Sequence, residues 1–347
     1  MTEKWSCLPG NWQPGSNYIQ KLFLLTAMCP KNDSKKVDCA IIGCGLIAGN
    51  ADQWGSNLVR THAKAFSDHK QCRLVAVCDT DEEIARAFAR KWGAERYGTH
   101  AEALLKECRP DIISICTPTR FHEEGLDIAQ RAGASIIWIE KPAADNREVL
   151  QRMKENSKKY SGKIWVNYFR RYEAGFLKVK NSLAELGPMQ QVTAYYTKGL
   201  RHNGSHMLDL LLWFFGSVHE VSVTSMLMDI EYPTVSGQLI MDKARVNLIG
   251  LDHNAFELFE LDIIGQNGRI QIIDGGHKIC FEHVVKNKFY KGYKNLSPNS
   301  IHAGSYSTFM RQGLQYGLAG NQMPGLDNEL QIQGVLDQFS EAAGIVF

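Results

Sequence analysis

Three short stretches of this chain combine residue types that can do chemistry. Glu140-Lys141-Pro142 closes an apolar run, Ala134-Ser135-Ile136-Ile137-Trp138-Ile139, that reads as a buried strand preceded by Gly133. A charged pair at the carboxyl end of such a strand lies where open α/β sheets bind their ligands. A lysine partly withdrawn from water there has its pKa lowered and exchanges protons; the plain alternative is a solvated pair that ends the strand at Pro142. The second stretch, Gly43-Cys44-Gly45-Leu46-Ile47-Ala48, has the GxGxxA spacing of a dinucleotide fingerprint. Its first glycine allows the tight turn, its second lets backbone approach a pyrophosphate, and the small Ala48 permits close helix packing. Structural glycine turns imitate the pattern, but here it follows a strand. The third is His206-x-x-Asp209, on a helix running from Ser205 to a stop at Gly216. A histidine titrating near ~6.5 suits proton exchange around neutrality, and an acid one turn later can orient substrate or tune the site. The alternative for His206 is a hydrogen-bonded histidine at a domain interface. His202 and His206 are four apart, a metal-compatible spacing on a helix, but His202 precedes the helix and no metal site is expected.

The elements that must position these residues alternate in a regular way. Val37–Ile42 reads as strand one and Arg73–Asp79 as strand two, with helical segments from His62 and over Glu82–Trp92. Arg96-Tyr97 is a short strand, Ala101–Glu107 a helix, Asp111–Cys116 a buried strand ending in Thr117-Pro118-Thr119, and His122–Ala132 a helix. After the strand ending at Ile139 come a helix over Asn146–Lys158 and a last strand, Ile164–Tyr168, with Arg170-Arg171 beyond it. This is a doubly wound parallel sheet. Asp79, ending strand two, accepts from adenosine ribose hydroxyls and repels a 2′-phosphate, which favours NAD over NADP; it equally suits a cap for the helix near Glu82. The polar, glycine-bearing segment of residues 49–60 interrupts the place where the first helix should begin, as a substrate lid or as a surface embellishment. From Met189 the pattern changes to strands over 189–198, 218–228, 234–241, 245–251, 258–264 and 269–273, with Gln266-Asn267-Gly268 as a hairpin signal. That predicts a second, α+β domain with a mostly antiparallel sheet, and helix returns after Ser305. The expected domains are an extension over 1–36, a dinucleotide-binding domain over 37–165, and a substrate domain over 166–347 whose last helices pack back on the first.

Composition narrows the partners. The chain has 347 residues, 44% hydrophobic and 22% charged, with a formal net charge of +2 and no basic run, which argues against nucleic acid. The nine cysteines are scattered without a CxxC pair, so a reducing, cytoplasmic setting is expected. The longest early apolar run, Leu22–Met28, is too short to span a bilayer and makes a poor signal peptide, and Met28 is a candidate start of translation.

Taken together and in order, Gly43-x-Gly45-x-x-Ala48, Thr117-Pro118 with His122, Glu140-Lys141-Pro142 and His206-x-x-Asp209 resemble the glucose-fructose oxidoreductase / inositol dehydrogenase family, Gfo/Idh/MocA. The resemblance runs from about Val37 to the C-terminus. It implies a Rossmann domain, a substrate domain with a large open-faced sheet, and NAD-dependent hydride transfer at a sugar or cyclitol carbinol. It also implies homodimers or homotetramers formed through the open face. Thr117, Pro118 and His122 match cofactor-lining positions, Glu140 and Lys141 match positions near the nicotinamide ribose, and Lys141 with His206 match the catalytic pair. Arg170, Arg171, the insertion, His202 and Asn203 are candidates to hold the substrate's polar or anionic part. One position departs from the pattern: family members commonly carry an acid where this chain has His202. A non-catalytic sensor of cofactor or sugar on the same fold is the rival reading.

Overall fold

The protein is described by a computed structural model over residues 36–228, 233–304 and 306–345. The anticipated extension, its apolar run and the candidate start at Met28 lie outside those residues. Residues 37–347 form one compact unit. Its first sheet contains β1 (Val37–Ile42), β2 (Cys72–Cys78), β3 (Arg96–Gly98), β4 (Ile112–Ile115), β5 (Ile136–Ile139) and β6 (Lys163–Val166). All pairs are parallel and the order is β3-β2-β1-β4-β5-β6, the classic doubly wound arrangement. The helices between them are α1 (His62–Asp68), α2 (Glu82–Trp92), α3 (Ala101–Cys108), α4 (His122–Arg131) and α5 (Arg147–Asn156). They cover the sheet, which is why its central strands are mainly apolar rather than alternating, as in Ile112–Ile115 and Ile136–Ile139. α2 shows the rule for the helices: it buries Ala85, Phe88, Ala89 and Trp92 on one stripe, starts at Asp81, whose carboxylate accepts from the amides of Glu83 and Ile84, and stops at Gly93. The cap is therefore Asp81 and not Asp79, because Asp79 is still on the strand's exit and its carboxylate turns back toward the glycine turn.

The second sheet has eight strands in the order β14-β13-β12-β11-β7-β10-β9-β8. They are β7 (Met189–Tyr196), β8 (Val218–Leu227), β9 (Thr234–Met241), β10 (Arg245–Gly250), β11 (Phe259–Gly265), β12 (Gly268–Ile273), β13 (Lys278–Lys286) and β14 (Lys294–Ala303). Only the β7–β10 pair is parallel; the others are antiparallel. Alternate residues such as Val192, Ala194, Leu261, Ile263, Ile270 and Ile272 point into the core, while the other face carries polar ladders such as Arg269–Asp262 at 2.5 Å. β13 and β14 were not anticipated. β14 is an edge strand that contains Pro298 opposite a register shift at Phe281/Glu282, which an edge tolerates and a strand pattern does not advertise.

Four more helices complete the unit: α6 (Ala174–Ser182), α7 (Ser205–Phe215), α8 (Phe309–Leu318) and α9 (Leu326–Ala343). The last two make contacts with elements of the first sheet's layer. Met310 donates its amide to Val59 at 3.2 Å, and Val166 donates to Pro324 at 2.8 Å. Across from α5, Arg147 pairs with Asp337 at 2.9 Å and Lys154 with Asp327. The chain changes from the first sheet to the second between β6 and β7. No helix among the described residues is long and apolar enough to cross a membrane.

Candidate active site

The carboxyl ends of β1, β2 and β4 open into a cleft of about 640 Å³ lined in part by Gly43, Gly45, Asp79, Thr117 and Pro118. Gly43 has φ +88°, and a Cβ there would lie 2.8 Å from the backbone of Cys116 and Thr117. Only glycine makes this turn at low cost. A Cβ at Gly45 would meet nothing within 4 Å, so that backbone faces open cleft. Leu46–Asn50 then forms one π-type turn with Ala48 fully buried against the core, while Leu46 itself is exposed and Ile47 half-buried. Asp79 accepts from the Cys44 amide at 2.9 Å and from the Asp81 amide at 3.1 Å, so it shapes the glycine turn and still has lone pairs for a diol. The Thr117 hydroxyl is buried without a partner among the described residues. A glycine cradle, an acid at the end of β2 and an unpaired hydroxyl fit a dinucleotide. His122 lies beneath this lining, 1% exposed, with Nδ1 3.0 Å from the Pro142 carbonyl and Nε2 2.9 Å from the Thr117 carbonyl. It ties the exits of β4 and β5 together.

Residues 49–60 are latched. Asp52 is 1% exposed and accepts from the Arg60 amide at 2.6 Å and from its Nε at 3.0 Å, while the Val59 amide donates to Ser307 at 2.6 Å. The latch delivers α1, whose N-cap is Thr61, and with it His62, a fully buried imidazole. His62 Nε2 lies 2.8 Å from Glu140 Oε1 and Nδ1 lies 2.8 Å from Ser114 Oγ. Donation from Nε2 to the carboxylate leaves Nδ1 to accept the Ser114 hydroxyl. Asn167, just past β6, donates to the same Glu140 oxygen at 2.5 Å, and Tyr172 donates to Asn167 in turn. The Glu140 carboxylate is thereby fixed from α1 and from the exit of β6. None of His62, Ser114, Asn167 or Tyr172 was anticipated as part of the site. The available signals were a serine inside Ile112-Ile113-Ser114-Ile115 and a histidine among Ala63, Ala65 and Phe66, polar groups in apolar company that must find partners.

Lys141, joined to Pro142 by a cis bond, is half-buried and donates from Nζ to the His202 carbonyl at 3.1 Å. Burial lowers its pKa, the charge of Arg170 lowers it further, and Glu140 and Glu329 oppose the shift. The Gly199–Gly204 turn presents that carbonyl and leads into α7, which carries His206 and Asp209. His206 is 7% exposed; burial and the charges of Lys141, Arg170 and His202 hold its pKa well below the ordinary histidine value. Its Nδ1 has no partner among the described residues, and its ring packs edge-on against Tyr168 and Phe169 at 5.5 and 5.1 Å. Asp209 faces away from this group: both its oxygens take Arg171 Nε at 2.9 Å. Burial raises the Asp209 carboxyl and Arg171 opposes the rise. Arg170 instead turns inward, 7% exposed, with its guanidinium 3.8 Å from the Phe259 ring centroid. The His202 side chain is exposed and Asn203 half-buried on the same turn. From α9 comes a residue that no motif flagged: Glu329, 4% exposed, is pushed up to about 7, chiefly by burial. A lysine made easier to deprotonate beside a neutral imidazole can exchange a proton with a hydroxyl and stabilise negative charge on its oxygen.

Residues 37–168 match GFO_IDH_MocA, described as an oxidoreductase family with an NAD-binding Rossmann fold. The match covers the first sheet and its helices, and over that part the chain is similar to Gfo/Idh/MocA oxidoreductases. The matched description, an NAD-binding Rossmann fold, agrees with the glycine cradle at the end of β1. Among the relatives, D-glucoside 3-dehydrogenase of Escherichia coli (strain K12) is 27% identical over 171 residues, 49% of this chain and 45% of the relative. Inositol 2-dehydrogenase of Rhizobium meliloti (strain 1021) is 30% identical over 136 residues, 39% of this chain and 40% of the relative. The chain thus aligns with less than half the length of these two relatives. The crystal structure of an NAD binding oxidoreductase from Klebsiella pneumoniae superposes with a TM-score of 0.74 at 18% identity, over 89% of this chain and 97% of that one, a likeness of fold.

Proposed function

We propose that this chain is an NAD-dependent dehydrogenase or reductase that moves a hydride between the nicotinamide and a carbinol or ketone carbon of a sugar or cyclitol. The observation that carries the reading is the meeting of Lys141 and His206 at the carboxyl edge of the first sheet, with Lys141 Nζ on the carbonyl of His202. NAD, when bound, supplies the hydride acceptor, or in reduced form the donor. The chain's own residues handle the proton. As an alcohol loses hydride from carbon, neutral His206 takes the hydroxyl proton, and Lys141 holds the oxygen by hydrogen bonding as the carbonyl forms. Reduction runs the same transfers backward. Glu140, fixed in place by hydrogen bonds to His62 and Asn167, orients the nicotinamide ribose and offsets the Lys141 charge. Residues 37–165 hold the cofactor and 166–347 build the substrate side. The sugar and cyclitol names of the relatives support the substrate class. The polar open face of the eight-stranded sheet is where copies associate as a dimer or tetramer, and the scattered free cysteines suit a cytoplasmic setting. The test is Lys141→Ala followed by NADH absorbance over a sugar and cyclitol panel. Turnover falls by about 100-fold or more while NAD affinity stays within a few-fold. Turnover near wild type would remove Lys141 from the mechanism.

A further inference from the structure

The hairpin joining β13 and β14 ends in a tip unlike the rest of the surface. Its sequence, Lys286-Asn287-Lys288-Phe289-Tyr290-Lys291-Gly292-Tyr293-Lys294, interleaves lysines with aromatic rings, and no acidic residue occurs between Glu282 and Asp327. Phe289 is 88% exposed, Tyr290 68% and Tyr293 70%. Lys286, Lys288, Lys291 and Lys294 are exposed too, and none of them forms an ion pair among the described residues. The turn itself is well tied. The Asn287 side-chain oxygen accepts from the amides of Phe289 and Tyr290, both at 2.8 Å, and its Nδ2 donates to Asn295 at 3.0 Å. The Asn287 amide donates to the Tyr293 carbonyl at 2.9 Å, and Gly292, at φ +90°, lets the chain turn back. Backbone and amide groups are thus spent on the turn while the rings face water. Single exposed apolar residues are ordinary, but three large rings gathered on one fixed turn mark a contact surface.

We propose that this tip docks the protein on an anionic lipid surface, with the rings at headgroup level and the lysines on the acidic headgroups. Aromatic rings with a polar end settle at the membrane interface, and lysine stems add apolar length while the ammonium stays in water. Binding of this kind grows with buried apolar area and with charge, each lysine near the surface strengthening it about fivefold. Phe289, the most exposed ring, has no polar end and lies between Lys288 and Lys291, so apolar contact and positive charge coincide. Charge opposes a second copy as the occupant, because two tips meeting would set lysines against lysines. Ring geometry opposes single-stranded nucleic acid: Tyr290 and Tyr293 meet edge to face, 6.2 Å apart at 71°, which is no platform for successive bases. The proposal is independent of the reaction at Lys141.

The experiment is co-sedimentation of the full chain with vesicles of phosphatidylcholine alone or with about 30% phosphatidylserine. The chain binds the anionic vesicles about 10-fold or more tightly than the neutral ones, and the gap narrows as salt rises to about 0.5 M. Lys288→Glu combined with Lys291→Glu cuts binding by about 20-fold or more, and Phe289→Ser combined with Tyr290→Ser cuts it by about 5-fold or more. All four positions are exposed and lie outside the dinucleotide cleft. No binding to the anionic vesicles, or binding untouched by either pair, overturns the proposal. Tighter binding to oligodeoxythymidine than to the vesicles, by anisotropy, assigns nucleic acid instead and overturns it as well. An oligomer that dissociates in the Phe289→Ser, Tyr290→Ser chain by sedimentation velocity assigns the tip to a second copy, with the same consequence.

Discussion

Replacing His62 by leucine tests whether the Glu140 brace is real. Leucine fills a similar volume, so the change removes two hydrogen bonds without opening a large cavity. The bond to the Glu140 carboxylate is worth about 1.5–3 kcal/mol, and a buried Ser114 hydroxyl left without its partner costs about 1–3 kcal/mol more. The Glu140 side chain is 13% exposed and keeps Asn167, so water and the amide recover part of the loss. We therefore expect a net cost near the low end, about 3 kcal/mol. For a unit of about 310 residues, an unfolding entropy of about 2.1 cal/mol/K per residue turns that into a Tm lower by about 4–5 °C. NAD affinity falls by about 10-fold as Glu140 loses its fixed position. His62→Gln can donate to Glu140 and accept from Ser114 in the same places, and it recovers at least half of both effects. Differential scanning calorimetry and an NAD titration followed by tryptophan fluorescence read the series, with Trp138 a local probe 4.5 Å from the His62 ring. A His62→Leu protein within about 0.5 kcal/mol and twofold in NAD affinity of the parent would refute the brace.

Glu329→Gln should act through pH. The native carboxyl titrates at about 7 against an ordinary 4.5, so the native state binds the extra proton. Stability linked to this group is full below the unfolded pKa and is lost as pH rises through about 7, a loss worth roughly 3 kcal/mol. Urea unfolding should show the glutamine variant gaining about 2–3 kcal/mol at pH 8 and little at pH 5; an equal gain at both would contradict the burial argument. Asp209→Asn strands Arg171, whose side chain is 12% exposed, and should cost about 3–5 kcal/mol, with Arg171→Met in the same chain restoring part of it. Strict additivity in that double-mutant cycle would deny the pair. Gly43→Ala combines φ +88° with a 2.8 Å approach to Cys116 and Thr117 and should destabilise by about 2 kcal/mol or more and abolish NAD binding. An alanine variant that binds NAD normally would show that the turn relaxes at no cost.

The first sheet was nearly transparent in the sequence because its central strands, buried on both faces, are mainly apolar runs ending at a recognisable turn, while β3 at the edge is short and exposed. The glycine turn, Asp79, Thr117, Glu140 and Lys141 all lie past such ends, so one topological rule collects them on one edge. His206 needed a second rule, since the irregular Gly199–Gly204 turn that brings it to Lys141 has no periodic signature. The second sheet was legible where strands alternate, as in β11 and β12, and not at the edge, where β14 runs exposed through Pro298. The partners of each site residue were the least visible. Glu140 meets His62, 78 positions earlier, and nothing local in either sequence announces the other. Arg170 and Arg171 are adjacent and alike in type, yet one turns to Phe259 and the other to Asp209; only packing separates them.

The return of α9 to the first sheet has a consequence for how the protein is made. Glu329 trails Tyr168, beside which it is buried, by more than 150 residues, so at about 5–20 residues per second a ribosome finishes the cofactor half some 10–30 s before the last helix emerges. During that interval the α5 surface that later receives Asp327 and Asp337 is uncovered, and Lys141 lacks one of its two acidic neighbours.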